Sequence, residues 1–477
     1  MSAAAALATT LPSAPAIAAG AAAALVLIAV LVLVMRRYED ALPLLAVFAL
    51  PFRVPISVDG KTVNLLVPLY LVVAAGTLTV LLPALLARRG ARAVAGSDPA
   101  EEPAAGAGSI APGDGSEASR LSASFWSSPR GLEWLLFGAV GLYAVQAVYS
   151  SGHARAAENI AFFYIPFALL FLLLRGVAWR RELLLWCLAI VVGLAVIFAG
   201  IGFVEYQRKS LFLNPKVVAA NQYDNYFRVN SLFFDPNIYG RFLALVMIAV
   251  STVVLWSGRR RDTLIGAAVL AWLLGGLITS FSQSSIAALL LGLAVLAAWR
   301  WNVRETLYAS FGLLALAGAL VLLAPASLHF GLKGSGGSTS NATSGRTKLI
   351  SGGLELFAQR PLQGYGPGSF EKEYKSHRKA NAENATSASH TIPVTVAAEQ
   401  GILGLALYIA LLISAAMVLF RGAGRSPPRI ALAAAFAALV LHTWTYADFL
   451  EDPFTWAILA IGVALAKDAQ AEQASSF

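Results

Sequence analysis

Apolar stretches of about 20 residues, each long enough to cross a hydrocarbon core of about 30 Å, recur along the chain with short polar connectors between them. They predict spans near 17–35, 41–56 (a short one), 65–87, 132–149, 160–174, 183–204, 237–256, 263–280, 285–299, 306–325, 400–420, 430–447 and 454–467. Lipid offers no partner for exposed backbone polar groups, and the alternating ten-residue segments of a β-barrel are absent, so the spans are helices. The expected fold is an all-α polytopic transmembrane bundle of about 12–13 spans, with a large, partly helical loop late in the chain.

Composition agrees: 58% of the 477 residues are hydrophobic and 13% charged, with a mean hydropathy of +0.69. No ordinary soluble domain has such a balance. The single cysteine, Cys187, excludes a disulfide within the chain. The first 20 residues carry no Lys or Arg, whereas Arg36 and Arg37 follow the first apolar run. That arrangement reads as a retained first helix with its N-terminus outside, the alternative being an internal N-terminus with a re-entrant first pair.

Charge orients the rest. The connectors RRYED (36–40), RGVAWRRE (175–182), SGRRRD (257–262), RWNVRE (300–305) and RGAGRSPPR (421–429) alternate with connectors poorer in cation, which assigns the basic set to the cytoplasm. Most of the net charge of +9 is thereby explained by topology and points to no nucleic-acid partner. Five regions follow: N-terminal spans over 1–87, a disordered cytoplasmic loop rich in Ala, Gly, Pro and Ser over 88–131, central spans with Arg-containing external connectors over 132–325, a large external loop over 326–399, and C-terminal spans over 400–477. Two external connectors, 205–236 and 326–399, hold most of the cations that break the positive-inside pattern. Either long external segments tolerate them, or they face an anionic ligand.

Several chemistries lose support at once, because the chain has no HExxH, no CxxC, no GxxxxGK[ST] and no convincing GxSxG elbow. GYGPG (364–368) reads as a turn, with a phosphate cradle as the alternative. Residues 347–358 have the spacing of a short helix lying on the membrane surface. After His390 a helix reopens, with Ser389 or Thr391 as its cap, and runs through Glu399 into the next span. A histidine at a helix N-terminus is kept neutral by the dipole, which makes His390 a candidate general base; capping or packing the loop is the alternative.

In RVNSLFFDPNIYGR (228–241), Asp235 can cap the helix that begins at Pro236 or Asn237. Arg228 has no such structural role. A guanidinium beside the bilayer surface suits bidentate phosphate contacts, as do Arg155 in SGHARAAEN and Arg346 in SGRTK, and three Arg from three external connectors could converge on a diphosphate. Carboxylates on the same side, Asp224, Asp235, Glu205, Glu399, Asp448, Glu451 and Asp452, leave a metal-assisted variant open.

RVNSLFFDPNIYG, GRTKLISGGLELFAQRPLQGYGPGSF and SHTIPVTVAAEQGILGLALYIALL together resemble the O-antigen ligase and O-antigen polymerase superfamily, over roughly residues 200 to 420. The resemblance implies a metal-independent, cofactor-free, inverting glycosyltransferase of the bacterial inner membrane that works on the periplasmic face. Its donor would be a glycan on undecaprenyl diphosphate, and its acceptor the lipid A core or, in a polymerase, a growing glycan. Carried over by motif, Arg228, Arg346 and less directly Arg155 would bind the diphosphate and His390 would activate the acceptor, with Asp235, Asn237 and Glu399 in support. A transporter or flippase for a lipid-linked glycan is the reading from another class, but the span interiors are nearly free of the charge that it would need.

Overall fold

The computed structural model describes residues 14–58, 61–95, 126–213, 227–306, 308, 339–378, 389 and 391–475. The chain is an all-α polytopic bundle. Among the described residues, nine helices are long and apolar enough to cross a membrane. They coincide with nine of the predicted spans. Two further long helices, α5 (Pro129–Ala147) and α16 (Pro453–Ser475), fall on the predicted spans 132–149 and 454–467. The predicted span 306–325 lies almost wholly outside the described residues.

The N-terminal region departs from expectation at one point. Helix α1 (Ala14–Arg37) is followed by α2, which covers only Ala41–Ala49. Pro51 and Pro55 cannot continue a helix, and the β-branched residues beyond them pair instead as an antiparallel hairpin, β1 (Val54–Val58) with β2 (Lys61–Leu65). The short span predicted at 41–56 is therefore a nine-residue helix followed by the start of a hairpin. Helices α3 (Val67–Gly76) and α4 (Leu82–Ala95) are joined through a π-helical turn at Thr77–Leu81, so helix continues seven residues beyond Arg88.

After α5 the chain runs through α6 (His153–Asn159), a π-helical turn (Ile160–Tyr164) and α7 (Ile165–Leu174), then α8 (Arg181–Arg208). Helix α9 (Pro236–Trp256) is the centre of one core, where Phe242, Leu243, Val246 and Ile248 pack among α8, α10 (Arg260–Ser280), α11 (Gln283–Arg300) and α15 (Pro427–Thr445). A second core, around Phe167, Phe171, Leu411 and Trp456, joins α2, α3, α7, α15, α16 and α14 (Ile392–Phe420).

Between the last two groups of spans lie α12 (Thr339–Gln359) and α13 (Phe370–Arg378). Leu349 and Leu356 of α12 bury against Tyr365, Phe370, Tyr374 and Ala398. The apolar face of the helix predicted over 347–358 is thus covered by protein, and Leu354 stays exposed. Helix α14 is kinked at Gly401, which has φ 65° and ψ −162°. The segment before the kink carries Glu399 and the segment after it makes the span.

Candidate functional site

Arg228 sits in a loop whose shape is imposed from below. Glu205, near the C-terminus of α8, accepts hydrogen bonds from the backbone N–H of Phe212 (3.0 Å), Asn230 (3.3 Å) and Ser231 (2.8 Å). Ser231 takes φ 52° and donates its hydroxyl to Phe198 O at 2.8 Å, and Val229 N donates to Thr279 O at 3.1 Å. So fixed, the loop presents Arg228 to the ends of two helices. Its Nε donates to Ser280 O (3.1 Å) and its Nη2 to Asn237 Oδ1 (3.2 Å).

Asn237 Oδ1 also accepts from Ser282 Oγ (2.9 Å), which lies 2.7 Å from Ser285 Oγ, itself 3.1 Å from His442 Nε2. Arg228 therefore stands at the top of a polar column that descends into the bundle through α9, α11 and α15. Asp235 caps α9 through Asn237 N at 2.6 Å and accepts a hydrogen bond from the Tyr446 hydroxyl.

The glycine-rich turn is built differently from a phosphate cradle. Its amides are already used: Gly364 N donates to Arg360 O (3.0 Å), Tyr365 N to Ala398 O (3.2 Å) and Gly366 N to Glu399 O (2.7 Å). Glu399, buried, takes Gly368 N on Oε2 (2.9 Å) and Phe370 N on Oε1 (3.0 Å). The turn reading holds, and its partner is a carboxylate of the protein itself. Only glycine fits at 364, where φ is 66° and a Cβ would stand 2.3 Å from Glu399 O.

Arg155 lies on α6 with its side chain 51% exposed, 3.5 Å from the Glu158 carboxylate. The same charge acts on Glu451, in the connector between α15 and α16. Glu451 accepts from Asn159 Nδ2 at 2.8 Å and is hydrogen-bonded to Asp448. Burial, and then the neighbouring Asp448 charge, push its carboxyl up to about 8. Arg155, whose charge acts on Glu451, and Arg228, held by Asn237 beside the Asp235 cap, thus belong to one end of the bundle.

Of the other residues singled out from sequence, Arg346 lies on the helical backbone of α12. His390 lies outside the described residues, between Ser389, whose hydroxyl donates to Thr391 O at 2.8 Å, and Thr391, which heads α14. Asp224 is also outside them. Among the described residues, no three His, Cys, Asp or Glu side chains group closely enough to hold a metal ion.

Sequence reasoning missed Tyr446, Asn159 and the loop-shaping role of Glu205. The connector YADFLED (446–452), with three carboxylates between two apolar spans, was the available signal for the first. Asp452 turns out to face inward, 2.8 Å from Arg241 Nη2, with side-chain exposures of 1% and 2%.

Residues 267–409 match the O-Antigen ligase family, Wzy_C. The resemblance drawn from the motifs is borne out over that segment, which holds the turn, Glu399 and the positions of Arg346 and His390. The match supports an O-antigen ligase or polymerase type of membrane glycosyltransferase, and the nine long apolar helices among the described residues agree with a multi-pass membrane protein. No curated protein matches the chain.

Proposed function

We propose that this protein is an inner-membrane glycosyltransferase that moves a glycan from undecaprenyl diphosphate to an acceptor hydroxyl on the periplasmic face, with the lipid A core as acceptor. The observation that carries the reading is the fixing of Arg228 at the ends of α9 and α10 by Asn237 Oδ1 and Ser280 O. These two oxygens, one a backbone carbonyl and one a side-chain amide, fix the orientation of the guanidinium plane. An oriented cation at that depth suits the diphosphate of a lipid-linked donor, whose chain stays in the membrane.

In this reading the acceptor oxygen attacks the anomeric carbon from the side opposite the diphosphate. The bond from C1 to the phosphate oxygen breaks, its electron pair leaves with undecaprenyl diphosphate, and the configuration inverts. Arg228, Arg346 and Arg155 stabilise the departing charge, and His390 takes the acceptor proton. Neither a metal nor a cofactor is required by these steps. Asn237 and Glu399 act by holding Arg228 and the glycine-rich turn.

The test is transfer by purified protein from a short undecaprenyl-diphosphate glycan, with and without lipid A core and with chelator present, comparing wild type with His390→Ala. Transfer to the core that survives chelator and is lost in the variant supports a ligase. Ladders formed from the donor alone make the protein a polymerase. Full activity of His390→Ala, or movement of the donor across vesicles with no new glycosidic bond, overturns the proposal.

A further inference from the structure

At the opposite end of the bundle, the end that the basic connectors assign to the cytoplasm, a cavity of about 240 Å³ opens where α14 ends, α15 begins and the last turns of α16 pass. Arg421 and Arg429 line it together with Ser127, Gln470, Val418 and Ala466. Arg429 is only 9% exposed. Its Nη2 donates to Arg421 O (2.7 Å) and Val418 O (3.4 Å), and its Nη1 to Gly422 O (3.4 Å). Arg421 is exposed and donates Nη1 to Ser127 Oγ at 3.0 Å.

Topology accounts for arginine in a cytoplasmic connector, but it does not require two of them to line one cavity. The carbonyls at the end of α14 satisfy some of the Arg429 donors through the helix dipole, yet they supply only partial charge. A buried full charge ordinarily has an opposite one beside it. Among the described residues, neither arginine forms an ion pair with a carboxylate. Glu133, on the neighbouring α5, is already taken by Arg175 and Lys467.

We propose that this cavity binds the phosphate group of an anionic phospholipid of the cytoplasmic leaflet. The volume exceeds several times the roughly 30 Å³ share of a water molecule, as a phosphate needs. Two guanidinium groups provide the bidentate donors that phosphate oxygens accept. Val418 and Ala466 on the wall suit the apolar part of a lipid, and basic pockets between helices at this depth are where anionic headgroups are held. The site is independent of the transfer reaction at the other end.

The experiment is thermal unfolding of the full chain, purified in a neutral detergent, with phosphatidylglycerol, phosphatidylcholine or inorganic phosphate added at matched ionic strength. Phosphatidylglycerol is expected to raise Tm by a few degrees, because a ligand that binds only the folded state stabilises it. Arg421→Gln, at an exposed position, should lose most of that shift, and Arg429→Gln should lose it where the variant folds. Arg260→Gln, at an exposed arginine of the same end, should keep it. An equal shift from inorganic phosphate alone would support the phosphate site and assign it to a soluble anion. An equal shift from phosphatidylcholine, or an unchanged phosphatidylglycerol shift in Arg421→Gln, overturns the proposal.

Discussion

Arg228 and Asn237 stand nine positions apart in the chain and meet where α9 begins, with the guanidinium Nη2 donating to the amide Oδ1 at 3.2 Å. The amide is held in turn by Ser282 Oγ at 2.9 Å, so the orientation of Arg228 is set from α11 as well as from α9. An arginine that binds substrate is useful only if its plane is fixed before the substrate arrives.

Replacement of Asn237 by Ala should therefore act on Arg228 and leave the fold standing. A hydrogen bond to a charged group is worth about 1.5–3 kcal/mol, so KM for the lipid-linked donor should rise about 10- to 100-fold. Steady-state transfer kinetics check this. Ser282→Ala should show a smaller rise in the same parameter. A change in kcat with KM untouched would speak against an orienting role.

Glu399 grips two amides of the turn at 2.9 and 3.0 Å, and Gln can present only one oxygen to them. In Glu399→Gln, hydrogen exchange at Gly368 and Phe370 should accelerate about 10- to 100-fold while exchange in α9 stays slow. Gly364→Ala should be worse, because its Cβ meets backbone at 2.3 Å and the positive φ disfavours it. Exchange followed by mass spectrometry reads both.

The pH dependence has a defined sign. The Glu451 carboxyl is raised from its ordinary value to about 8 by burial and by Asp448, so the folded chain holds a proton there that the unfolded chain has released. Stability from this group is then fully present below the ordinary carboxylate range and is lost as pH rises through about 8. Tm measured from pH 5 to 9 should fall with pH in wild type and fall less in Glu451→Gln. Asp448→Asn should shift the decline to lower pH, because it removes the charge that helps to hold the proton on Glu451.

The ion pair of Arg241 and Asp452 is almost wholly buried, at 2.8 Å. Removing one partner strands the other in a low dielectric, at a cost of about 3–5 kcal/mol. Both Arg241→Met and Asp452→Asn should lower resistance to unfolding in denaturing detergent by about that amount. The double variant should recover part of the loss, since no charge then remains unpaired.

The residues of the site differ in how far sequence could place them. Asp235, followed by proline, could be read as a cap because capping is local, and it caps α9. Gly364, Gly366 and Gly368 could be read as a turn for the same reason, and all three have positive φ. That Glu399 closes this turn needed the fold, because the carboxylate comes from 31 residues beyond Gly368. Asn159 reaching Glu451 across 292 residues left no local trace at all.

Hydropathy and charge were enough to establish a multi-pass helical chain and the positions of nine of its spans, because a membrane imposes one length and one composition on every helix that crosses it. The motifs around Arg346 and His390 were enough to indicate the likeness to the O-antigen ligase family that residues 267–409 match, since short-range order and spacing survive in the sequence itself. Only the packed structure decided that α2 stops short and yields to a hairpin, that the amphipathic face of α12 is covered by Ala398 and its neighbours, and that Asp452 turns inward to Arg241. Each of these depends on which surfaces meet, and contacts between residues tens to hundreds of positions apart have no local periodicity by which a sequence could announce them.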